Sequence, residues 1–388
     1  MKKTGKRLIS LFLCGILLAG AAGAQEQAAA ALSGVTSPSA ILMDQTGQVI
    51  FEKNADEQRE PASVTKIMTM LLVMEALDEG RLNWEDTVTA SRHAISMGGS
   101  QIWLKENEQM SVADMLKAVA VVSANDCAVA LAEHLYGTEE AFVQKMNERA
   151  AELGMENTHF VNCNGLPAEG HLTTARDIAI MSRELIKHQE IFKYTTIWMD
   201  TLRGGASGLT NTNRLIRTYQ GMTGLKTGYT QKAGYCLSGT ATREGLSLVA
   251  VAMGASSSAL RNADITAMLN YGFSNYQAVE ITPDQPLMPI PVLLGSHSKV
   301  SCMLGQNEPL ILKKEKVAAL EKELTMQQKL KAPVQAGQQV GVLRLTVEGE
   351  EVASIPVVAA ETVEALRVPQ IFWKILKICA MDGALLKK

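Results

Sequence analysis

Pro61-Ala62-Ser63-Val64-Thr65-Lys66-Ile67-Met68-Thr69-Met70 opens an apolar run that continues to Leu77 and meets Gly80. Glycine just past a periodic apolar segment is a helix stop, and proline and serine favour a helix start. The stretch therefore predicts a helix from about Ser63 to Leu77. Residues three apart share a helix face, so Ser63 and Lys66 point the same way. A serine hydroxyl becomes a nucleophile when a neighbouring base takes its proton. Lysine can be that base only if its pKa falls well below its usual value of about 10.4. Burial among apolar neighbours and the positive end of a helix both act in that direction. For these four residues alone, an N-cap serine and a snorkelling lysine are the plainer reading.

Two later stretches add chemistry. Ser123-Ala124-Asn125-Asp126 interrupts an apolar helical region running from Val112 to Tyr136. A serine hydroxyl there can relay a proton, and the Asn125 carboxamide can hold a substrate amide through two hydrogen bonds; an N-cap for the following helix is the plainer reading. Gly224-Leu225-Lys226-Thr227-Gly228-Tyr229 precedes two strand-like runs, Ala233 to Ala241 and Leu246 to Met253, joined by an Arg243-Glu244-Gly245 turn. Lys226 and Thr227 suit a carboxylate, by charge and hydrogen bond. Gly228 would let a substrate backbone approach closely. His171 is a candidate base, although such a histidine more often orients a loop.

Around these stretches the chain reads in order. Ala40 to Met43 and Val49 to Phe51 flank turn residues and form a hairpin. Amphipathic helices are expected near Glu139–Leu153 and up to Ile186, with a long loop from Asn157 to Pro167. Ala259 to Tyr271 reads as a helix closed by Gly272. Pro283, Pro286, Pro289 and Pro291 then mark a boundary, followed by short strands with turn signals, the pattern of a small all-β module of sandwich type. Pro369 to Met381 carries Ile371, Phe372, Ile375, Ile378 and Cys379 on one helical face, with Lys374 and Lys377 on another. That suits an interfacial helix at a membrane surface; docking on the β-module is the alternative.

Residues 1–24 combine Lys2, Lys3, Lys6 and Arg7 with an apolar core, Leu8 to Leu18, and end Ala22-Gly23-Ala24, the pattern of a secretory signal peptide. The net charge of −3 becomes −7 without these four basic residues. No basic field remains to suggest nucleic-acid binding. Five widely spaced cysteines follow Cys14: Cys127, Cys163, Cys236, Cys302 and Cys379. They form neither an even disulfide framework nor a metal-ligand cluster, so no metal or cofactor is expected.

Ser63-x-x-Lys66, Ser123-x-Asn125 and Lys226-Thr227-Gly228 stand 60 and 103 residues apart. In that order they resemble the set found in penicillin-binding proteins and class A β-lactamases. With Pro61 to Met70, His171 to Asp177, Asn211-Thr212-Asn213-Arg214-Leu215 and Ala233 to Thr240, the chain resembles the low-molecular-weight penicillin-binding proteins, serine D-alanyl-D-alanine carboxypeptidases. The resemblance implies an α+β catalytic domain with a mostly antiparallel five-stranded sheet over residues 25–277. It further implies a β-rich domain over 278–366 and an amphipathic anchor over 367–388. It implies that Ser63 is acylated by a peptidoglycan pentapeptide or a β-lactam, with Lys66 as base and Ser123 as proton relay. Asn125 would hold the substrate amide, Lys226 and Thr227 the terminal carboxylate, and the amides of Ser63 and Tyr229 the oxyanion. It places the protein outside the cytoplasm, attached to the outer face of the membrane. Two features depart from the family. Lys105-Glu106-Asn107-Glu108 lacks a Pro-Gly often found there, and Tyr229 replaces a histidine of some members.

A β-lactamase would need a second base, and Glu169 is the only acidic residue of the Asn162–His171 loop. A cross-link-cleaving endopeptidase keeps the same fold. A catalytically silent wall-binding protein would not need the full residue set.

Overall fold

The structure, a computed structural model, describes residues 27–306 and 308–372. The signal-like segment 1–24, Cys14, Cys379 and the apolar and basic face from Trp373 onward lie outside these residues. The chain divides into two compact units, Met1–Asn275 and Tyr276–Lys388.

The first unit is built on a five-stranded, wholly antiparallel sheet. Its strands are β1 (Ser39–Asp44), β2 (Val49–Lys53), β3 (Met222–Thr230), β4 (Gly234–Arg243) and β5 (Leu246–Ala255), in the order β2-β1-β5-β4-β3. The helices are α1 (Lys66–Asp78), α2 (Val112–Val122), α3 (Asn125–Tyr136), α4 (Glu139–Glu152), α5 (Ala175–Leu185) and α6 (Ser258–Asn275). Every residue of β1 is buried, because the sheet is covered on both faces and side chains alternate between them. Ile41 and Met43 join Val249, Val251 and Met253 in the helical core. On the opposite face Leu42 and Leu248 meet α6 around Gly272.

Helix α1 is apolar almost all round; Ile67 to Met74 are all buried. Such a helix belongs at the centre of a core rather than on its surface. It does not begin at Ser63: a 3₁₀ turn, Ala62–Thr65, precedes it, with Ala62 at a φ of 49°. It ends at Asp78, and Gly80 follows at a φ of 70°.

Helix α6 runs past Gly272 to Asn275, three residues beyond the expected stop. A Cβ on Gly272 would lie 2.4 Å from Leu248 Cδ1. This glycine allows the helix to approach the sheet and does not end it. Asp264 fastens the other side of α6. Its carboxylate accepts from Thr36 N, Thr36 Oγ1, Ser37 N and Ser37 Oγ at 2.6–3.1 Å, tying the segment before β1 to the helix.

The second unit is built mainly of β-strands among its described residues, with a 3₁₀ helix at Lys314–Ala319. A four-stranded antiparallel sheet runs Cys302–Leu304, Glu350–Ala359, Gln339–Val347, Leu320–Met326. A three-stranded sheet joins Lys299–Val300, Ile290–Leu293 and Leu330–Lys331, the last pair parallel. Val340 and Val357 of the larger sheet pack with Ile290, Val292 and Leu330 of the smaller in one cluster. That is the sandwich arrangement. Among the described residues no helix is long and apolar enough to cross a membrane. Cys127, Cys163, Cys236 and Cys302 are free thiols.

Asp264→Ala would leave several buried or half-buried donors without an acceptor, at about 1–3 kcal/mol for an unsatisfied group. We expect urea denaturation to show a loss of about 2–4 kcal/mol; a loss under 1 kcal/mol would refute this role.

Candidate active site

The three short motifs meet. In a 3₁₀ turn residues three apart eclipse one another, and the turn Ala62–Thr65 sets Lys66 directly over Ser63. Lys66 Nζ lies 3.1 Å from Ser63 Oγ. It also lies 2.5 Å from Asn125 Oδ1 and 2.5 Å from the Asn164 carbonyl. Strand β3 closes the other side. A Cβ on Gly228 would sit 2.9 Å from Pro61 O and 3.1 Å from Val64 N. Gly228 is thus needed for contact with the serine turn itself.

Lys66 is fully buried, and burial lowers its pKa to about 7. An uncharged lysine amine has two N–H groups and one lone pair. The Asn164 carbonyl can only accept. Asn125 Nδ2 donates to the Gly98 carbonyl at 2.6 Å, so Asn125 turns its oxygen to Lys66. The two N–H groups are thereby assigned, and the lone pair is left for the Ser63 hydroxyl proton. No carboxylate hydrogen-bonds Ser63 or Lys66 among the described residues. Asp126, next to Asn125, is occupied by the amides of Ile102, Leu104 and Cys127.

Ser123 closes α2 in the left-handed conformation, φ 65° and ψ 33°. A non-glycine residue there costs about 1 kcal/mol or more and recurs at functional sites. Its Oγ is buried and finds no hydrogen-bond partner among the described residues. Val121, two residues before it, accepts from Thr212 N at 3.1 Å. Thr212 Oγ1 in turn accepts from Thr227 Oγ1 at 2.8 Å. The segment Val121–Asn125 is linked in this way to strand β3.

Lys226 is buried, its pKa driven well below the usual lysine value first by desolvation and then by the nearby Lys66 and Arg261. Its Nζ donates to the Thr227 carbonyl at 2.9 Å. Tyr229 is 57% exposed at the rim and lies against Tyr235, ring centroids 4.4 Å apart.

The loop after α4 supplies what the sequence reading missed. Asn162 Oδ1 accepts from Gly165 N at 2.7 Å and from Asn164 N at 3.3 Å. This Asx turn presents the Asn164 carbonyl to Lys66. Gly165 has a φ of 86°, and a Cβ there would lie 1.9 Å from Ala62 O. The available signal was Asn162-Cys163-Asn164-Gly165, strong turn chemistry with no acid or base in it. Thr212, too, carries no acid or base that would mark it in the sequence, yet it joins Val121 to Thr227. His171 is a loop-orienting residue. Its Nδ1 accepts from Val161 N at 2.9 Å, so its Nε2–H faces Thr65 Oγ1 at 2.8 Å. Burial lowers its pKa to about 4. The altered loop at Lys105 forms a turn held by Glu108, whose carboxylate also pairs with Arg203 at 2.7 Å. Glu169 is exposed.

A family model described as "D-alanyl-D-alanine carboxypeptidase" (peptidase S11) matches residues 24–257, and one described as "Penicillin-binding protein 5, C-terminal domain" matches residues 276–365. The chain is 43% identical to the D-alanyl-D-alanine carboxypeptidase DacF of Bacillus subtilis over 92% of this chain and 94% of that one. It is 34% identical to DacC of Escherichia coli, covering 90% and 89%. Among solved structures it resembles penicillin binding protein 5 from Haemophilus influenzae, with TM-score 0.72 and 29% identity over 85% of this chain and 98% of that one. It also resembles penicillin-binding protein D2 from Listeria monocytogenes in its cefotaxime-bound form, with TM-score 0.57 and 34% identity over 62% and 98%.

The buried amine has a linked effect on stability. With its folded pKa lowered to about 7, the unfolded chain binds more protons than the folded one between pH 7 and about 10.4. Wild-type stability therefore rises with pH across that window, and the cost of Lys66 is full below it. We expect Lys66→Met to gain most relative to wild type near pH 6.5 and less at pH 9, measured by denaturant unfolding. A difference that does not change with pH would contradict the uncharged amine.

Proposed function

The chain belongs to the D-alanyl-D-alanine carboxypeptidase family, peptidase S11, and from that premise we propose that it removes the terminal D-alanine of peptidoglycan stem pentapeptides through an acyl-enzyme on Ser63. The observation that carries this reading is the buried Lys66 amine 3.1 Å from Ser63 Oγ, its pKa lowered by burial to about 7.

Lys66 takes the hydroxyl proton as Ser63 Oγ bonds to the carbonyl carbon of the penultimate D-alanine. The oxyanion is stabilised by backbone amides of Ser63 and Tyr229, an interaction of about 3–4 kcal/mol in related acyl transfers. Ser123 passes a proton to the departing amine, and its partnerless hydroxyl suits that relay. D-Alanine leaves, Ser63 is held as an ester, and water cleaves the ester with Lys66 again accepting the proton. Thr227 and Lys226 bind the terminal carboxylate, by hydrogen bonds to its oxygens. Asn125 keeps one N–H and one lone pair for the substrate after serving Lys66 and Gly98.

A β-lactam ring would acylate Ser63 in the same way. Among the described residues no carboxylate stands beside the ester to speed its hydrolysis, which supports a slowly released drug over a β-lactamase. The signal-like residues 1–24 and the apolar and basic pattern of 369–381 support export and peripheral attachment to the outer face of the cytoplasmic membrane. Both rest on sequence pattern alone.

We expect Ser63→Ala to abolish D-alanine release from a pentapeptide ending in D-Ala-D-Ala and to abolish labelling by fluorescent penicillin. Retained labelling would sink the assignment. The kcat/KM of wild type should rise about tenfold per pH unit below about 7 and level off above it, as Lys66 loses its proton. Gly165→Ala should lower D-alanine release by about 100-fold, since a shift of 1 Å at a reacting group has that effect. Circular dichroism should show that this variant stays folded.

A further inference from the structure

A cavity of about 860 Å³ opens beside Thr227. It shares Thr227 with the site, but Ser63, Lys66, Ser123 and Asn125 do not line it. On the reading above, the acyl half of the substrate lies at Ser63 and the terminal carboxylate at Thr227. The cavity therefore lies on the leaving-residue side. Its wall carries Arg214, Arg217 and Arg261, with Trp198 and Tyr235, and no acidic residue.

Arg261 is 5% exposed, and its guanidinium is fixed by the Cys236 carbonyl at 3.4 Å and by Asn262 Oδ1 at 2.9 and 3.1 Å. Burial lowers its pKa to about 10, so it is charged at neutral pH. The Arg217 guanidinium lies 5.9 Å from the Trp198 ring centroid, a cation–π contact that holds it in place. Arg214 and Arg217 are exposed, and neither has a carboxylate within ion-pair distance among the described residues. The three arginines of the wall supply more positive charge than the single carboxylate of D-alanine can balance. The cavity is also far larger than a methyl group requires; pockets of about 300–1,000 Å³ suit ligands of drug size.

We propose that this cavity is a leaving-residue subsite for a C-terminal D-amino acid that carries a second carboxylate, such as D-glutamate. The guanidinium fork matches a carboxylate in planar, two-point fashion. The inference rests on the carboxypeptidase reading and extends it to the identity of the residue released.

The test compares wild type with the Arg214→Gln/Arg217→Gln variant on peptides ending in D-Ala-D-Ala, D-Ala-D-Glu, D-Ala-D-Gln and D-Ala-D-Lys. D-Glutamine has nearly the size of D-glutamate without its charge. We expect wild-type kcat/KM for D-Glu to exceed that for D-Lys by about tenfold or more, with D-Gln between, because like charges repel and opposite charges steer. The preference should shrink in high salt. The double variant should lose it while keeping D-Ala-D-Ala hydrolysis within about threefold, since exposed arginines contribute little to a neutral side chain. Equal rates for D-Glu and D-Gln in wild type, or a preference that survives the double substitution, would overturn the subsite. Failure of wild type to release D-alanine from D-Ala-D-Ala would instead overturn the carboxypeptidase reading.

Discussion

The exclusion of water from the Lys66 amine is the constraint on which the site depends. An ammonium in bulk water holds its proton too tightly to serve a serine at neutral pH. Here the amine is enclosed by helix α1, the Asn164 carbonyl, Asn125 and the serine turn. The enclosure lowers its proton affinity, and the two carbonyl acceptors set its direction. Core packing and catalysis are thus one problem: the apolar length of α1 that fills the domain centre also desolvates its first residue.

A second buried lysine sharpens the point. Lys226 faces the same cleft from strand β3 and has no carboxylate partner among the described residues. Arg261, charged at neutral pH, gives that side of the cleft a positive character, unfavourable for the free protein and favourable for an anionic ligand. Stability is given up locally so that an incoming carboxylate finds its counter-charge already desolvated and in place.

Much of this was legible in the sequence because the chemistry sits in side chains with fixed spacing. Ser63 and Lys66 are neighbours in any helical turn, and the apolar runs on either side of the Arg243-Glu244-Gly245 turn lie on strands β4 and β5. What escaped is held by backbone or by absence. The Asn164 carbonyl has no residue-type signature, and the role of Gly165 is a missing Cβ against Ala62. Gly228 was legible as a close approach but not as an approach of the chain to itself, since the neighbour lies more than 160 positions away. Gly272 misleads for the same reason: helix punctuation is a local rule, and Leu248 is a distant partner. The same limit applies to Ser123, whose left-handed backbone follows from its place between α2 and α3.

The serine turn touches chain near residues 125, 164 and 228. Contacts of such long sequence separation form late, because the entropy of closing large loops must be lost before they return any stabilisation. During synthesis, Ser63 emerges well before Gly228. Until strand β3 pairs and seats against the turn, the amine is wet and charged, and the nucleophile is an ordinary alcohol. On the proposed reading, a chain still being made is chemically silent, and reactivity comes only with completion of the domain.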